Sequence, residues 1–344
     1  MSDMVGKILE TQEIGSFRKP EYLSRKFHTG SEGEVDPLKE RATIETLQLF
    51  NRAGLENIGV GGEMFRWEMY EHFAQYITGL KFYGMVRSFD NRYYKKGSIV
   101  SELRRTSSLH GDELDFLLRN SRGEIKLPIT GPYTMMDWSF NEHYRDRDEV
   151  AVAFGRILNE EIRDLKKRWD IARPGEKFQV QIDEPATTTH PAEMDTVVES
   201  INRSVEGIGG AEFSLHVCYS KDYRVLYDHV PDMKLQGLNL EYANRDKLVS
   251  GTGDSDRPGY NDIRYFAEIE DKKFLGVGVT DVHIDEIEPV PVIEDRIKYV
   301  LGIIDDPERI KINPDCGLRT RSRDIGYEKL RNMVIARDSV AGKL

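Results

Sequence analysis

The chain has 344 residues, of which 39% are hydrophobic and 32% charged, a composition typical of a globular protein with a sizeable core. Its formal net charge of -11 at pH 7 argues against broad binding to nucleic acid or to an anionic membrane surface. No stretch approaches the ~18 apolar residues that a membrane span requires, and the N-terminal segment does not resemble a secretion signal. Two cysteines are too few for a disulfide framework, so we expect a cytoplasmic protein with reduced thiols.

Short β-like runs alternate with amphipathic helical stretches, which is the pattern of parallel strands joined by crossover helices. The β-like runs lie at residues 8–17, 56–63, 124–132, 177–185, 212–219, 235–243, 273–283 and 309–317. Helical periodicity is found at residues 37–53, 64–80, 145–169, 191–207, 257–270, 288–304 and 324–339. Eight strand–helix units, with no glycine-rich phosphate turn after the first run, favour a (β/α)8 TIM barrel over an open α/β sheet. We predict one catalytic barrel domain over residues 1–344.

One segment, at about residues 80–105, does not fit this alternation. It lies between the second and third predicted strands and has the pattern of an additional β-hairpin. We therefore predict an insertion that lies over one mouth of the barrel, without assigning it a role.

Polar and metal-binding side chains end seven of the eight predicted strands. In chain order they are Ser16, Glu63, Asp183 with Glu184, His216 with Cys218, Glu241, Asp281 with His283, and Cys316. In barrel enzymes the carboxyl ends of the strands carry the chemistry, whereas the opposite mouth serves stability. The sequence therefore predicts an active site at this mouth.

Four of these side chains form a candidate zinc site. His216 and Cys218 are two residues apart, so on a strand both point to the same face. Glu241 ends the adjacent strand, and Cys316 comes from across the mouth. Two thiolates, one imidazole and one carboxylate suit Zn²⁺ in tetrahedral geometry. Ordinary core packing is the alternative, since free cysteine is among the most buried residue types, and residue types alone do not decide between the two.

Eight stretches, in order along the chain, resemble the C-terminal catalytic barrel of the cobalamin-independent methionine synthases. They are "EIGSF" (13–17), "GGEMFRWEMYEHF" (61–73), "GPYTMMDWSF" (131–140), "QIDEPA" (181–186), "HVCYS" (216–220), "LNLEYANRD" (238–246), "GVGVTDVH" (276–283) and "INPDCGLRTR" (312–321). The resemblance implies zinc ligands at the same four positions, His216, Cys218, Glu241 and Cys316. The chain has no room for the second, N-terminal barrel of the long bacterial and plant enzymes. It is similar to the short, core form known from archaea and some bacteria.

The resemblance also implies roles for other residues. Homocysteine would be bound by Ser16, Glu63 and Asp183, a folate would stack on Trp138, and His283, with Asp281 beside it, would help with proton handling. Structural explanations are also open: a helix-dipole carboxylate for Glu63 and likewise for Glu184, a turn or cap for Ser16, and plain packing for Trp138 and His283.

The implied activity is zinc-dependent methyl transfer to homocysteine, which forms methionine. Zinc makes the thiolate available near neutral pH, and Glu241, a hard ligand in a soft site, is predicted to give way to the substrate. The methyl donor is either methyltetrahydrofolate or a methylcorrinoid protein. The alternatives are a corrinoid-dependent methyltransferase acting on another thiol such as coenzyme M, a non-catalytic zinc-stabilised barrel, and a metal-free decarboxylase. Glu63 and Asp183 favour an amino-acid acceptor, because coenzyme M has no ammonium group.

Overall fold

The computed structural model describes residues 8–87, 93–269 and 272–344. Within these ranges the helices are α1 (Glu21–Lys26), α2 (Glu32–Ala53), α3 (Met69–Ala74), α4 (Gly111–Asn120), α5 (Pro132–Asp137), α6 (Arg147–Ala172), α7 (Met194–Val205), α8 (Arg224–Tyr227), α9 (Ile263–Ala267), α10 (Val290–Ile304) and α11 (Arg323–Ala341). The strands are β1 (Ile77–Arg87), β2 (Tyr93–Arg105), β3 (Lys126–Thr130), β4 (Phe140–Asn141), β5 (Phe178–Asp183), β6 (Ala211–Val217), β7 (Gly237–Leu240), β8 (Phe274–Thr280) and β9 (Ile310–Pro314). None of the described helices combines the length and the apolar character that crossing a membrane demands.

A parallel sheet of six strands, in the order β3-β5-β6-β7-β8-β9, forms the centre of the molecule. Two further segments connect its ends through single parallel bridges. Thr11 pairs with Ile312 of β9, and Asn57 pairs with both Gln12 and Glu124, which precedes β3. The six strands are buried over nearly their whole length, which is why they appear in the sequence as continuous apolar runs. The predicted (β/α)8 fold is confirmed.

The prediction of regular strands at residues 8–17 and 56–63 is wrong, because each segment contributes only isolated bridges. The second turns away directly after Asn57. Gly59, Gly61 and Gly62 all have positive φ angles, of 53°, 71° and 77°, and this backbone conformation cannot continue a β-ladder. Glycines that resemble a buried strand in the sequence are here the residues of a turn.

The helix predicted at residues 64–80 is also wrong. Only Met69–Ala74 is helical, and β1 begins at Ile77. The helix begins late because Glu68 is its N-cap, with a side chain that accepts hydrogen bonds from the backbone N–H groups of Tyr70 and Glu71, both at 2.8 Å. The helices α1, α4, α5 and α8 were not predicted; α1, α5 and α8 have only six, six and four residues, too few to show helical periodicity.

The predicted hairpin insertion is present and begins earlier than expected. Strands β1 and β2 pair antiparallel from Ile77↔Arg105 to Arg87↔Tyr93, and β4 adds to β2 to give a three-stranded sheet separate from the barrel. The tip of the predicted segment, residues 88–92, lies outside the described residues. That the whole chain forms one catalytic domain stays a prediction.

The barrel interior contains a hydrogen-bonded layer of polar side chains that the sequence pattern did not indicate. Gln12 Nε2 donates to Asn239 Oδ1 at 2.7 Å and to Asn313 Oδ1 at 3.2 Å. Lys126 Nζ donates to Gln12 Oε1 at 2.8 Å, and Asn239 Nδ2 donates to Gln181 Oε1 at 3.0 Å. These side chains come from different strands, so the layer joins strands across the barrel below the mouth.

Gly276 of β8 is expected to be indispensable to this layer. A Cβ atom there would lie 2.1 Å from Asn239 Oδ1 and 2.6 Å from Asn313 Oδ1. We expect Gly276→Ala to lower the free energy of unfolding by ~1–3 kcal/mol, the usual effect of overpacking a buried site. The matched control is Gly302→Ala, on an exposed part of α10 where a Cβ would meet nothing within 4 Å. This variant should raise the free energy of unfolding by ~0.5–1 kcal/mol. Urea denaturation measures both, and equal stability of the two variants would contradict the close packing.

Candidate metal centre and substrate pocket

A pocket with about 1040 Å³ of empty space, including its open mouth, lies at the carboxyl ends of the barrel strands. Eight of the ten site residues predicted from the sequence line it: Ser16, Glu63, Trp138, Asp183, His216, Cys218, His283 and Cys316. Glu241 and Asp281 do not line it. The strand ends thus converge where the sequence pattern placed the active site.

Three of the four predicted metal ligands meet in this pocket. One ligand atom from each of His216, Cys218 and Cys316 lies within 4.8 Å of the others, and His216 Nε2 is 3.4 Å from Cys316 Sγ. His216 is on β6, Cys218 follows that strand, and Cys316 follows β9. Two sulfur atoms and one imidazole nitrogen form a donor set that suits Zn²⁺.

The ring of His216 is oriented as in a metal ligand. Its Nδ1 lies 2.9 Å from the backbone oxygen of Asn239, and a proton donated there leaves Nε2 facing the cysteines. The cluster also attracts positive charge. The hydrogen bond from the Cys218 thiol holds the pKa of Cys316 well below its ordinary value. Although burial disfavours the imidazolium, the Cys316 thiolate raises the pKa of His216 to about 9. A divalent cation would satisfy the same demand for charge.

Glu241, the fourth predicted ligand, is buried beside these three residues but bonded to other groups. Its Oε2 accepts from the backbone N–H of Tyr219 at 2.7 Å and from Asn244 Nδ2 at 3.0 Å. Its Oε1 is 3.3 Å from His283 Nε2. Burial raises the pKa of Glu241, and the Cys316 thiolate raises it further. The structure therefore holds this carboxylate next to the cluster without placing it within the cluster.

His283 lies at the pocket wall, and Asp281 lies behind it. The hydrogen bond with Glu241 raises the pKa of His283 to about 9, so its ring carries a proton at neutral pH. Asp281 Oδ1 accepts from the backbone N–H of His283 at 2.7 Å. Asp281 thus fixes the loop after β8 and does not face the pocket itself.

Two of the candidate substrate residues offer carboxylates to the pocket. Asp183 ends β5, where burial raises its pKa to about 7, and its Oδ1 accepts from Gln181 Nε2 at 2.8 Å. Glu63 has a positive φ angle of 59°, which is rare for a residue with a side chain. Tyr219, also at the pocket, has the same φ of 59°. Backbone strain of this kind occurs most often at functional sites.

Ser16 is held against the loop that carries Cys316. A Cβ on Gly317 would lie 2.6 Å from the backbone nitrogen of Ser16 and 3.0 Å from its Oγ. Only glycine permits this approach, which brings the first barrel segment next to the candidate metal ligand Cys316.

Aromatic side chains form the wall of the pocket on the side of the insertion. Trp138, the C-cap of α5, lies 5.6 Å from the ring of Tyr94 on β2, and Trp67 and Tyr93 extend the same wall. The hairpin insertion therefore contributes to the mouth of the barrel, as predicted.

From the sequence, Glu184 was interpreted as a strand-end carboxylate or as a first-turn helix carboxylate favoured by the dipole. Its carboxylate accepts from the backbone N–H groups of Tyr133 at 2.9 Å and Thr134 at 2.7 Å. These groups begin α5, so Glu184 neutralises the N-terminus of a neighbouring helix. Because Trp138 is the C-cap of α5, Glu184 helps to position the short helix that carries that ring.

Asp315 is a structural residue of the site that the sequence did not reveal. Its Oδ1 accepts from the backbone N–H groups of Tyr242 and Ala243, both at 2.9 Å, and its Oδ2 accepts from that of Asn244 at 2.7 Å. It joins the turn after Glu241 to the loop that carries Cys316. The only signal in the sequence is its position next to that cysteine.

Replacing Asp315 by alanine is expected to lower the free energy of unfolding by ~3 kcal/mol or more, because each buried N–H left without an acceptor costs ~1–3 kcal/mol. Asp315→Asn keeps the oxygen that serves Tyr242 and Ala243, and should lose less. Urea denaturation of metal-stripped protein makes the comparison independent of metal affinity. Identical stability of both variants and the wild type would show that these hydrogen bonds do not hold the turn.

Comparison with known proteins places this chain among relatives of nearly the same length. Residues 9–339 match the family model described as "Cobalamin-independent synthase, Catalytic domain". The methionine synthase of Thermoplasma volcanium is 62% identical over 338 residues, which cover 96% of this chain and 98% of that protein. The methionine synthase of Pyrococcus furiosus is 40% identical over 335 residues, covering 96% and 92%.

Solved structures show the same fold at lower identity. A B12-independent methionine synthase from Shewanella sp. W3-18-1, in complex with selenomethionine, has a TM-score of 0.81 and 22% identity, covering 98% of this chain and 99% of that chain. A putative vitamin-B12 independent methionine synthase from Listeria monocytogenes has a TM-score of 0.74 and 16% identity, with the same coverage. At these identities the likeness concerns the fold.

Proposed function

This chain belongs to the cobalamin-independent methionine synthase family, and from that membership we propose that it transfers a methyl group to homocysteine, with zinc as cofactor, and releases methionine. The observation that carries the proposal is the convergence of His216, Cys218 and Cys316 within 4.8 Å in a pocket that also presents the carboxylates of Glu63 and Asp183. Soft metal ligands beside acidic groups suit a substrate that has both a thiol and an ammonium group.

The cysteines and His216 would hold the ion, and Glu241 would be the fourth ligand. Zinc, when bound, supplies the charge that lowers the pKa of the substrate thiol from its ordinary ~8.5. Glu241 already accepts hydrogen bonds from Tyr219 and Asn244. Its carboxylate would therefore keep hydrogen-bond partners within the protein if it gave way to the substrate sulfur.

The remaining residues would orient the two reactants. Glu63 and Asp183 would pair with the ammonium group, and Ser16 with the carboxylate, of homocysteine. With both ends held, the sulfur is aimed at the methyl carbon, and alignment of this kind provides much of the rate. Trp138 would stack on the flat ring of the donor. His283, protonated at neutral pH, would supply the proton that the donor nitrogen takes up when the methyl group leaves.

We propose methyltetrahydrofolate as the donor. A methylcorrinoid protein is not supported, because the matching family and both solved neighbours are described as independent of cobalamin or vitamin B12. We also propose that the protein acts in the cytoplasm, where Cys218 and Cys316 would stay reduced and able to bind metal.

A single-turnover assay with zinc-loaded protein tests the proposal. Methyltetrahydrofolate and methylcobalamin are supplied as donors, and homocysteine and coenzyme M as competing acceptors. We expect methionine from methyltetrahydrofolate, and little methylated coenzyme M, because that thiol leaves Glu63 and Asp183 unpaired. Metal-stripped protein is the control. Preferential methylation of coenzyme M, or the same yield without metal, would refute the assignment.

A further inference from the structure

A buried ion pair adjoins the two carboxylates of the substrate pocket. Arg66 lines that pocket together with Glu63 and Asp183. Its Nη2 donates to Glu113 Oε2 at 2.6 Å, and the side chains of Arg66 and Glu113 are only 3% and 2% exposed. Glu113 lies on α4 and does not line the pocket. A residue outside the pocket therefore controls a cation at its wall.

The Arg66 guanidinium is fixed at two points, a short distance from Glu63. Its Nη1 donates to the backbone oxygen of Pro128 on β3 at 2.7 Å, and its Nη2 is held by Glu113. The same Nη1 is 3.7 Å from Glu63 Oε1, which is too long for a hydrogen bond. A shift of about 1 Å would bring the two groups into direct contact, so the bonds to Glu113 and Pro128 decide where the guanidinium lies.

Several carboxylates compete for this guanidinium. Although burial disfavours its charged form, three of them raise the pKa of the Arg66 side chain: Glu113 most strongly, then Glu63 and Asp183. Because Arg66 stays charged, a direct pair with Glu63 would neutralise the carboxylate that an incoming ammonium group needs. Lys19, another cation beside Glu63, is bonded to its backbone oxygen at 2.9 Å. Arg66 is thus the cation whose position determines how much negative charge the pocket offers.

We propose that Glu113 is a positioning residue for the ammonium group of the substrate, because it holds Arg66 away from Glu63 and so leaves that carboxylate free to bind. This inference rests on the proposed function, in which Glu63 and Asp183 pair with the ammonium group of homocysteine. Glu113 acts through Arg66 and does not touch the substrate. It favours thiols that carry an ammonium group over thiols that do not.

The test compares a single and a double variant by calorimetry of homocysteine binding to zinc-loaded protein. Glu113→Gln keeps the size of the side chain and removes its charge. We expect Arg66 to move onto Glu63 and the affinity for homocysteine to fall ~10-fold or more, the usual effect of losing a charged hydrogen bond. Addition of Arg66→Gln removes the competing cation, and the double variant should regain most of the affinity, since removing both partners of a buried ion pair is better tolerated than removing one.

Three further measurements separate positioning from a general loss of structure. In turnover assays Glu113→Gln should raise KM for homocysteine and leave kcat close to that of the wild type. The thiol acid 4-mercaptobutyrate, which has no ammonium group, should bind Glu113→Gln and the wild type equally. Glu56→Gln is the matched control, because Glu56 forms an ion pair of the same 2.6 Å length with Arg337 and neither residue lines the pocket. It should leave the affinity for homocysteine unchanged.

The inference is overturned if Glu113→Gln binds homocysteine as tightly as the wild type, or if the double variant binds it as weakly as the single one. An equal loss of affinity in Glu56→Gln would also overturn it, because any broken ion pair would then have the same effect. In each of these cases a wild type that methylates homocysteine retains the proposed function. If the variants bind as expected but no homocysteine is methylated, the role of Glu113 stands and the proposed activity is wrong.

Discussion

Replacement of Cys316 by serine is expected to abolish both zinc binding and methyl transfer. The apparent free energy of binding for a protein zinc site, ~10–16 kcal/mol, divides among four ligands into ~2.5–4 kcal/mol each, or roughly 70–900-fold in affinity per ligand. A hydroxyl cannot replace the thiolate, because a serine hydroxyl is not ionised near neutral pH, and the soft donor is lost. Cys218→Ser should behave in the same way, since both sulfur atoms belong to one cluster.

Zinc content after dialysis, measured by atomic absorption, and turnover with homocysteine provide the two readouts. Thermal denaturation supplies the control for folding. Added zinc should raise the melting temperature of the wild type, because a ligand that binds only the folded state stabilises it, and should have little effect on either serine variant. The variants without zinc should melt close to the metal-stripped wild type. Full activity in a protein with no bound metal would end the proposal.

Asp183→Asn is expected to raise the dissociation constant of homocysteine by more than ~10-fold, because a hydrogen bond to a charged group contributes ~1.5–3 kcal/mol. The substitution keeps the shape of the side chain and an oxygen to accept from Gln181. The lost property is therefore the negative charge that pairs with the ammonium group. Calorimetry with zinc-loaded protein gives the constant directly.

Two comparisons make this result specific. Glu184→Gln changes the adjacent carboxylate, whose partners are the first N–H groups of α5, and should leave the affinity for homocysteine unchanged. An analogue without the amino group, 4-mercaptobutyrate, should bind the wild type and Asp183→Asn equally. If Asp183→Asn weakens the binding of this analogue as much as it weakens the binding of homocysteine, Asp183 is not the partner of the ammonium group.

The central strands of the barrel were predictable because both faces of each are buried, and burial on both faces produces continuous apolar runs. The first two segments were predicted with the wrong conformation. Gly59, Gly61 and Gly62 resemble strand glycines in the sequence, and only their positive φ angles reveal a turn. The helix predicted at 64–80 failed because capping by Glu68 and the start of β1 at Ile77 restrict the helix to one short piece.

The convergence of His216, Cys218 and Cys316 was predictable from two simple regularities. The spacing of His216 and Cys218 on a strand and the convergence of parallel strand ends both follow from backbone geometry. The hydrogen-bond partners of Asp315 and Glu184 were not predictable, because they are backbone N–H groups that lie 71–73 and 50–51 residues away in the chain. The direction of the Glu241 carboxylate depends on its hydrogen bonds with Tyr219, Asn244 and His283, and a strand pattern does not specify it.

The left-handed backbone conformation of Glu63 and Tyr219 couples the thermal stability of this protein to its activity. Each such residue costs ~1–3 kcal/mol relative to a relaxed conformation, so glycine at either position would relieve the strain. It would also remove a carboxylate from the pocket in one case and the ring beside His283 in the other. Resistance to heat could therefore be improved at these positions only at the expense of the reaction.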